Sequence, residues 1–300
     1  MHRYRLSHRV SHADVDLLGE IKVEALLGLL EQAAVEASWD CGFDPAWYAA
    51  AGRVWIIRRT RLERFRPVGG GDRLEVRTRV LDWRRARSLR EYEVFRRGSG
   101  VASKGDLGGS GDGPDGELVA RATTDWVYCD MASGRPASVP EGMRRGFSGD
   151  DHVVTLPRAR ALPERGAGDG VVLPVLVRPS LLDHVAHVNN AAYAALLEDA
   201  AFELFAARGD PVASMLARGG ALRVRRIDIE YLDDAVAGDR LSVVSWPLAD
   251  GATDVAPTDE PARDARLLQI IEREAGGRIL RAASDWIWRE RSAVLGGAPS

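Results

Sequence analysis

The chain has 300 residues, is 45% hydrophobic and 28% charged, and carries a formal net charge of -3. Such a chain buries a large core and fits one large domain or two of about 150 residues, and its charge balance argues against a dedicated nucleic-acid binder. The N-terminus MHRYRLSHRVSHADVD lacks a signal-peptide core and no stretch approaches the roughly 18 apolar residues that span a bilayer, so a soluble cytoplasmic protein with no membrane partner is expected.

After a short first strand and a loop around Asp16, apolar residues at Val23, Leu26, Leu27, Leu30 and Ala34 mark a helix with one buried face. Cys41 and Cys129 are too few and too far apart for a disulfide framework or a metal knuckle, and no metal or cofactor is expected. Gly69-Gly70-Gly71 lacks the following helix and Lys-Ser/Thr pair of a phosphate loop and reads as a hairpin loop. Leu74, Val76, Thr78 and Val80 then alternate with Arg73, Glu75, Arg77 and Arg79, the period of a strand with one wet face. Gly98 to Gly116 reads as a loop between strands, and about Ala132 to Gly170, with Pro136, Pro140, Pro157 and Pro163, as a linker. The same order then returns. A short strand and a loop around Asp183 lead to a helix with apolar Tyr193, Leu196, Leu197, Ala200, Leu204 and Phe205, and Ile227, Ile229 and Tyr231 alternate with Asp228 and Glu230 in a strand beyond it. Gly251 to Asp264 reads as the acidic counterpart of the earlier loop.

The return is an internal duplication. Asp16 lies 167 residues before Asp183, and at that offset Leu29-Leu30-Glu31-Gln32-Ala33-Ala34 matches Leu196-Leu197-Glu198-Asp199-Ala200-Ala201 and Gly71-Asp72-Arg73-Leu74 matches Gly238-Asp239-Arg240-Leu241. Arg121-Ala122-Thr123-Thr124-Asp125-Trp126 matches Arg281-Ala282-Ala283-Ser284-Asp285-Trp286 at an offset of 160, which implies a loop seven residues longer in the first copy. One helix followed by antiparallel strands, twice over, is an α+β plan with a curved sheet around each long helix; pairing the copies closes an open edge and joins the sheets into one. The expected copies are residues 1–135 and 171–292, joined by a linker over 136–170.

Structural residues persist in both copies, whereas chemistry can survive in one. Asp16/Asp183 and Glu31/Glu198 are shared, but Glu20 and Lys22 become His187 and Asn189. The segment from Asp183 to Asn190, set before a helix, suits a thioester, whose hydrolysis takes a positioned nucleophile, a proton shuttle and donors for a developing oxyanion. His187 carries an imidazole, the side chain suited to serve as the shuttle. The helix that starts near Asn189 and Asn190 offers free N–H groups to a carbonyl oxygen, and Asp183 can orient the imidazole, activate water or attack. His184 beside His187 is not metal-ligand spacing.

The string His187-Val188-Asn189-Asn190-Ala191-Ala192-Tyr193 resembles the HVNNxxY signature of hotdog thioesterases. Val54-Trp55-Ile56-Ile57, Arg66-Pro67 with Gly71-Asp72, Gly116-Glu117 through Arg121-Ala122, Asp125-Trp126-Val127 and Val139-Pro140-Glu141 extend the resemblance to acyl-ACP thioesterases over nearly the whole chain. The resemblance implies a tandem double hotdog that hydrolyses fatty acyl-ACP, with Asp183, His187 and Asp234 as its catalytic Asp, His and acid and Asn189 beside them. Val185 stands where the family has an amide, and Ala235 where it has a Cys. The first copy would house the acyl chain, with Leu26, Leu30, Trp55 and Asn190 as substrate-binding residues. The runs Arg58-Arg59-Thr60-Arg61 and Arg84-Arg85-Ala86-Arg87 would dock an acidic acyl carrier protein. A homodimer is compatible with this plan. An acyl-CoA thioesterase and a catalytically weak acyl-binding hotdog are the alternatives; a dehydratase would carry a His-then-Gly-x-Pro loop that is absent here.

Overall fold

A computed structural model describes residues 2–97, 116–148, 161–248 and 265–291. The first copy comprises β1 (Tyr4–Arg9), α1 (Val23–Asp40), α2 (Pro45–Ala51), β2 (Arg53–Arg64), β3 (Arg73–Trp83), β4 (Arg87–Arg97) and β5 (Gly116–Asp130). Helix α3 (Glu141–Ser148) follows, and then β6 (Val171–Leu176), α4 (Ala192–Ala207), α5 (Val212–Ala217), β7 (Gly220–Tyr231), β8 (Arg240–Pro247), β9 (Ala265–Arg273) and β10 (Arg278–Glu290).

The ten strands among the described residues form one antiparallel sheet in the order β1-β3-β4-β5-β2-β7-β10-β9-β8-β6. The order reads outward from its centre as the same sequence of elements on both sides, so the copies meet strand to strand about a pseudo-twofold axis. They join where Arg59 to Glu63 of β2 pair with Glu230 to Arg226 of β7. The alternation explains which face is buried. Ile57, Leu62, Leu74, Val76, Ile227 and Ile229 point to the helices and form one apolar core with Leu26, Leu30, Leu197 and Leu204. The charged partners on β2 and β7 point the other way, and Arg59 clasps Asp228 across the seam with Nε and Nη2 contacts of 2.7 and 2.8 Å. Asp228→Ala should cost about 2 kcal/mol in urea titrations, because it leaves a partly buried guanidinium without its acid.

Two expectations are corrected. Gly69-Gly70-Gly71 is not a hairpin loop, because β2 and β3 are not sheet neighbours. The segment carries the chain across to β3, with φ of 90° at Gly71, and the Gly69 N–H donates to Asp72 Oδ2 at 2.9 Å. The Gly98–Gly116 and Gly251–Asp264 stretches, whose loop character lies outside the described residues apart from Gly116, are also not counterparts. The first lies between β4 and β5 and the second between β8 and β9, which corresponds to β3 and β4. The drop in offset from 167 to 160 is therefore the net of two insertions in opposite copies.

Sequence periodicity also missed α3. Met143 and Phe147, four apart, are buried in a second, smaller cluster with Ala37, Val80 and Tyr128. Gly142 and Gly146 in the same turns weaken its helical signature. No helix among the described residues is long and apolar enough to cross a membrane.

Candidate functional site

The loop that enters α4 is shaped by Asp183. Its Oδ1 accepts the backbone N–H groups of Val185 at 2.9 Å and His187 at 3.3 Å, and its own N–H donates to the His187 carbonyl at 2.8 Å. Asp16 does the same in the first copy, accepting from Leu18 at 2.7 Å and Glu20 at 3.3 Å. One carboxylate oxygen of Asp183 is therefore engaged in a turn that both copies share. The turn places Ala186 at a φ of 64°, where the first copy has Gly19 at 82°. A Cβ is disfavoured there, so Ala186→Gly should raise stability by about 0.5–1 kcal/mol, read as a shifted urea midpoint.

A second segment backs this loop. Val188 donates to the Ala235 carbonyl at 2.9 Å, and the Ala235 N–H donates to Tyr193 Oη at 3.2 Å. His187 forms an isolated bridge with Val236. This brings His187 Nδ1 to 3.4 Å from Asp234 Oδ2, with side chains 43% and 56% exposed. The pair is long and wet: it orients the ring loosely and leaves it facing solvent. In the first copy, Val68 and Gly69 support Ile21 and Glu20 in the same way, and the position of Asp234 is taken by Pro67.

Asn189 accepts the Ala191 N–H on Oδ1 at 2.8 Å and so fixes the turn before α4. Asn190, whose carbonyl accepts the Tyr231 hydroxyl at 3.2 Å, reaches a narrow slot between α1 and the sheet. Leu27, Leu30, Glu31, Ile57, Thr60, Thr124 and Trp126 form the rest of its wall with Ala191 and Tyr231, and its volume of about 10 Å³ holds roughly one water. Of the expected substrate-binding residues, Leu30 and Asn190 line this slot. Leu26 is buried in the main core, and Trp55 joins the second cluster, where its Nε1 donates to Tyr48 Oη at 3.0 Å. The thiols are poor nucleophiles: burial pushes Cys41 up to about 11 and raises Cys129 as well. No group of three or more His, Cys, Asp or Glu among the described residues could hold a metal.

A family model described as the thioesterase-like superfamily matches residues 10–147 and 177–276. The chain belongs to the thioesterase-like superfamily. Among solved structures it is similar to a provisionally assigned oleoyl thioesterase from Lactobacillus plantarum, at 18% identity and a TM-score of 0.74, over 95% of this chain and 96% of that one. An acyl-ACP thioesterase from Bacteroides thetaiotaomicron aligns at 16% identity and a TM-score of 0.68 over 95% and 97% of the two chains. The 12:0-ACP thioesterase from Umbellularia californica aligns at 17% and 0.68 over 96% and 94%. No curated protein is a significant match. The fold of this thioesterase-like chain is the tandem double hotdog.

The two equivalent places in this thioesterase-like fold differ sharply. Around the first-copy loop, Arg64 Nη2 lies 3.1 Å from Glu20 Oε2 and Arg223 Nη2 2.8 Å from Asp16 Oδ1, all four groups well buried. Glu198 of α4 completes this cluster; burial pushes its carboxyl up to about 7 against the pull of Arg223 and Arg64. A cluster of charges fills the place that a substrate would need. At the same offset, Arg64 corresponds to Tyr231 and Arg223 to Ile56, so the second-copy place has no such cations. Its counterpart of Glu198 is Glu31, a residue that sequence comparison sets aside because both copies have it. Burial, and then the charge of Asp183, raise the Glu31 carboxyl above its usual range.

Proposed function

We propose that the chain hydrolyses acyl thioesters of a phosphopantetheine thiol to a carboxylic acid and free thiol, with an acidic acyl carrier protein as the carrier and acyl-CoA as the alternative. The observation that supports it is the loop from Asp183 to Asn190, which faces Asp234 at the start of α4 in one copy and is replaced by an ion cluster in the other. The catalytic half is then residues 171–292, with residues 1–135 as the acyl-binding half and 136–170 as the linker, in a cytoplasmic protein.

A thioester carbonyl has little resonance stabilisation and a thiolate leaves readily, so modest assistance suffices. The N–H groups of Asn189, Ala191 and Ala192 bond the Leu181 carbonyl, Asn189 Oδ1 and the Asn189 carbonyl, so stabilising charge on the substrate carbonyl oxygen falls to Asn190 at the entry to α4. His187, oriented by Asp234, carries the proton to sulfur at the solvent side. Asp183 holds the turn that aims the ring, and Asn189 fixes the turn that leads into α4. For a carrier protein the available cations lie on the opposite face of the sheet, in a groove of about 770 Å³ lined by Arg58, Arg59, Arg61, Arg84, Arg85 and Arg87. Arg59, Arg61, Arg84 and Arg87 each face an aspartate, whereas Arg58 bonds the Leu232 carbonyl at 3.2 Å and Arg85 bonds Ser138 Oγ at 3.3 Å. Those two are the charges free to meet an acidic partner.

The test is a panel of acyl-ACPs and matched acyl-CoAs of graded length. Release of free thiol supports the reading and the ratio of rates names the carrier; tight acyl binding with no turnover of any member leaves the non-catalytic alternative, which Val185, exposed at the loop where the resembling family has an amide, favours.

A further inference from the structure

We propose that Arg90, on the helix-facing side of β4, receives an anionic group at the far end of the acyl chain, so that the thioesters cleaved are those of acyl groups carrying a second carboxylate. The proposal rests on the thioesterase reading above and names the substrate class within it.

Three observations converge on Arg90. First, it is 5% exposed, and among the described residues no carboxylate pairs with it. Its guanidinium has one hydrogen bond there, from Nη1 to Thr78 Oγ1 at 3.2 Å, and stands 5.2 Å from the centre of the Phe147 ring. The titratable groups that face it are Tyr92, Cys41 and Tyr48, whose acid groups burial raises further above neutrality, so none supplies an anion. Buried charges are ordinarily paired, because nothing else offsets their desolvation. Second, only one copy has this charge. Arg90 pairs with Thr124 of β5; the equivalent of Thr124 is Ser284, which pairs with Leu267 of β9. A leucine fills the corresponding position in the core of the second copy, so the fold itself does not call for a cation there. Third, Arg90 ends a polar row that starts at the site. Thr60 pairs with Thr124, and Thr124 with Arg90, across neighbouring strands. Thr60 and Thr124 line the slot that Asn190 enters, and Tyr92 Oη and Trp126 Nε1 both meet Thr124 Oγ1.

The row sets both chemistry and length. Two strand spacings, about 10 Å, separate Thr60 from Arg90. The slot holds roughly one water as it stands, so an acyl chain of any kind enters by displacing side chains of its wall. A chain laid across β2, β5 and β4, with its thioester at the start of α4, brings its far end to Arg90. A methyl end there leaves the guanidinium buried without an anion. A carboxylate meets the planar fork of donors away from water and neutralises it. No covalent step is added, since the far carboxylate only binds.

The test compares suberoyl-CoA with octanoyl-CoA, and the same two acyl groups on acyl carrier protein. The wild type should favour the suberoyl thioester by about 10- to 100-fold in kcat/KM. Arg90→Met should remove that preference, with the loss falling chiefly on KM for the suberoyl thioester. Arg90→Lys, which keeps the charge without the fork, should retain part of it, and gives the same readout where the methionine variant does not fold. A wild type that favours octanoyl on both carriers, or an Arg90→Met enzyme with the wild-type ratio, overturns the proposal. A second measurement is independent of turnover: calorimetric binding of the non-hydrolysable suberoyl and octanoyl thioethers of CoA. Tighter binding of the suberoyl thioether by the wild type, lost in Arg90→Met, supports the proposal, and equal affinities overturn it. A free carboxylate could use the same guanidinium, so octanoate is titrated as well. Octanoate binding that is lost in Arg90→Met, with no preference between the thioethers, assigns the place to a free acid and overturns the acyl-borne reading. If the wild type cleaves no thioester, the thioesterase reading falls, and the thioether comparison still decides what Arg90 binds.

Discussion

Replacing His187 with alanine is expected to lower kcat by about 10²–10⁴ on whichever acyl thioester proves to be the substrate, with KM changed little. The expectation follows from position. The imidazole stands on the solvent side of the loop, where a pantetheine sulfur would leave, it faces Asp234, and the first copy has Glu20 at its position. Truncation removes the donor but leaves the turn intact, because the turn is made by Asp183 and backbone groups and not by the ring. Added imidazole should therefore recover part of the rate. Asp234→Asn should cost much less, about tenfold, since a 3.4 Å contact between two half-exposed groups constrains the ring weakly. An alanine variant with the wild-type rate would remove His187 from the mechanism.

The duplicated plan was legible because periodicity and a fixed register survive divergence. β2 and β7, and β1 and β6, start and end 167 residues apart, and the apolar stripes of α1 and α4 fall on the core as spaced. What the sequence hid were features decided by non-local pairing. Whether three glycines close a hairpin depends on which strand lies next door, and β3 pairs with β1 and β4 rather than β2. Helix α3 is held by burying Met143 and Phe147 and not by its own propensity. At the site, the loop residues were found together because they are contiguous, and Asp234 because a resemblance pointed to it. Asp183 and Asn189 stand in that string as candidates for chemistry, and each also offers an oxygen to local backbone N–H groups, a use that residue type alone does not separate from catalysis. Glu31 and Glu198 are shared, and what differs between their places is the charge around them, Tyr231 and Ile56 standing where the other place has Arg64 and Arg223.

The filled place in the first copy should make the whole protein less stable as pH rises, and Glu198→Gln should abolish much of that loss. The folded Glu198 carboxyl is pushed up to about 7 from an ordinary value of 4.5, mainly by burial. A group with a raised folded value holds its proton more tightly in the native state than in the unfolded chain. Its contribution is therefore complete below about 4.5, declines through the window up to about 7 and is flat above it, a loss of about 3 kcal/mol. The surrounding charges explain why glutamine is tolerated. Arg64 and Arg223 already face Glu20 and Asp16, so the cluster is balanced with position 198 neutral and carries a surplus negative charge when Glu198 ionises. Glu198→Gln should match the wild type at pH 4.5 and exceed it at pH 8, as read from urea midpoints. Arg64→Met should act in the opposite sense, costing about 3–5 kcal/mol at pH 8 by leaving Glu20 buried without its cation. Equal midpoints for wild type and Glu198→Gln across that range would mean that the carboxyl reaches water, and that the vestigial place is open where its ion pairs indicate it is shut.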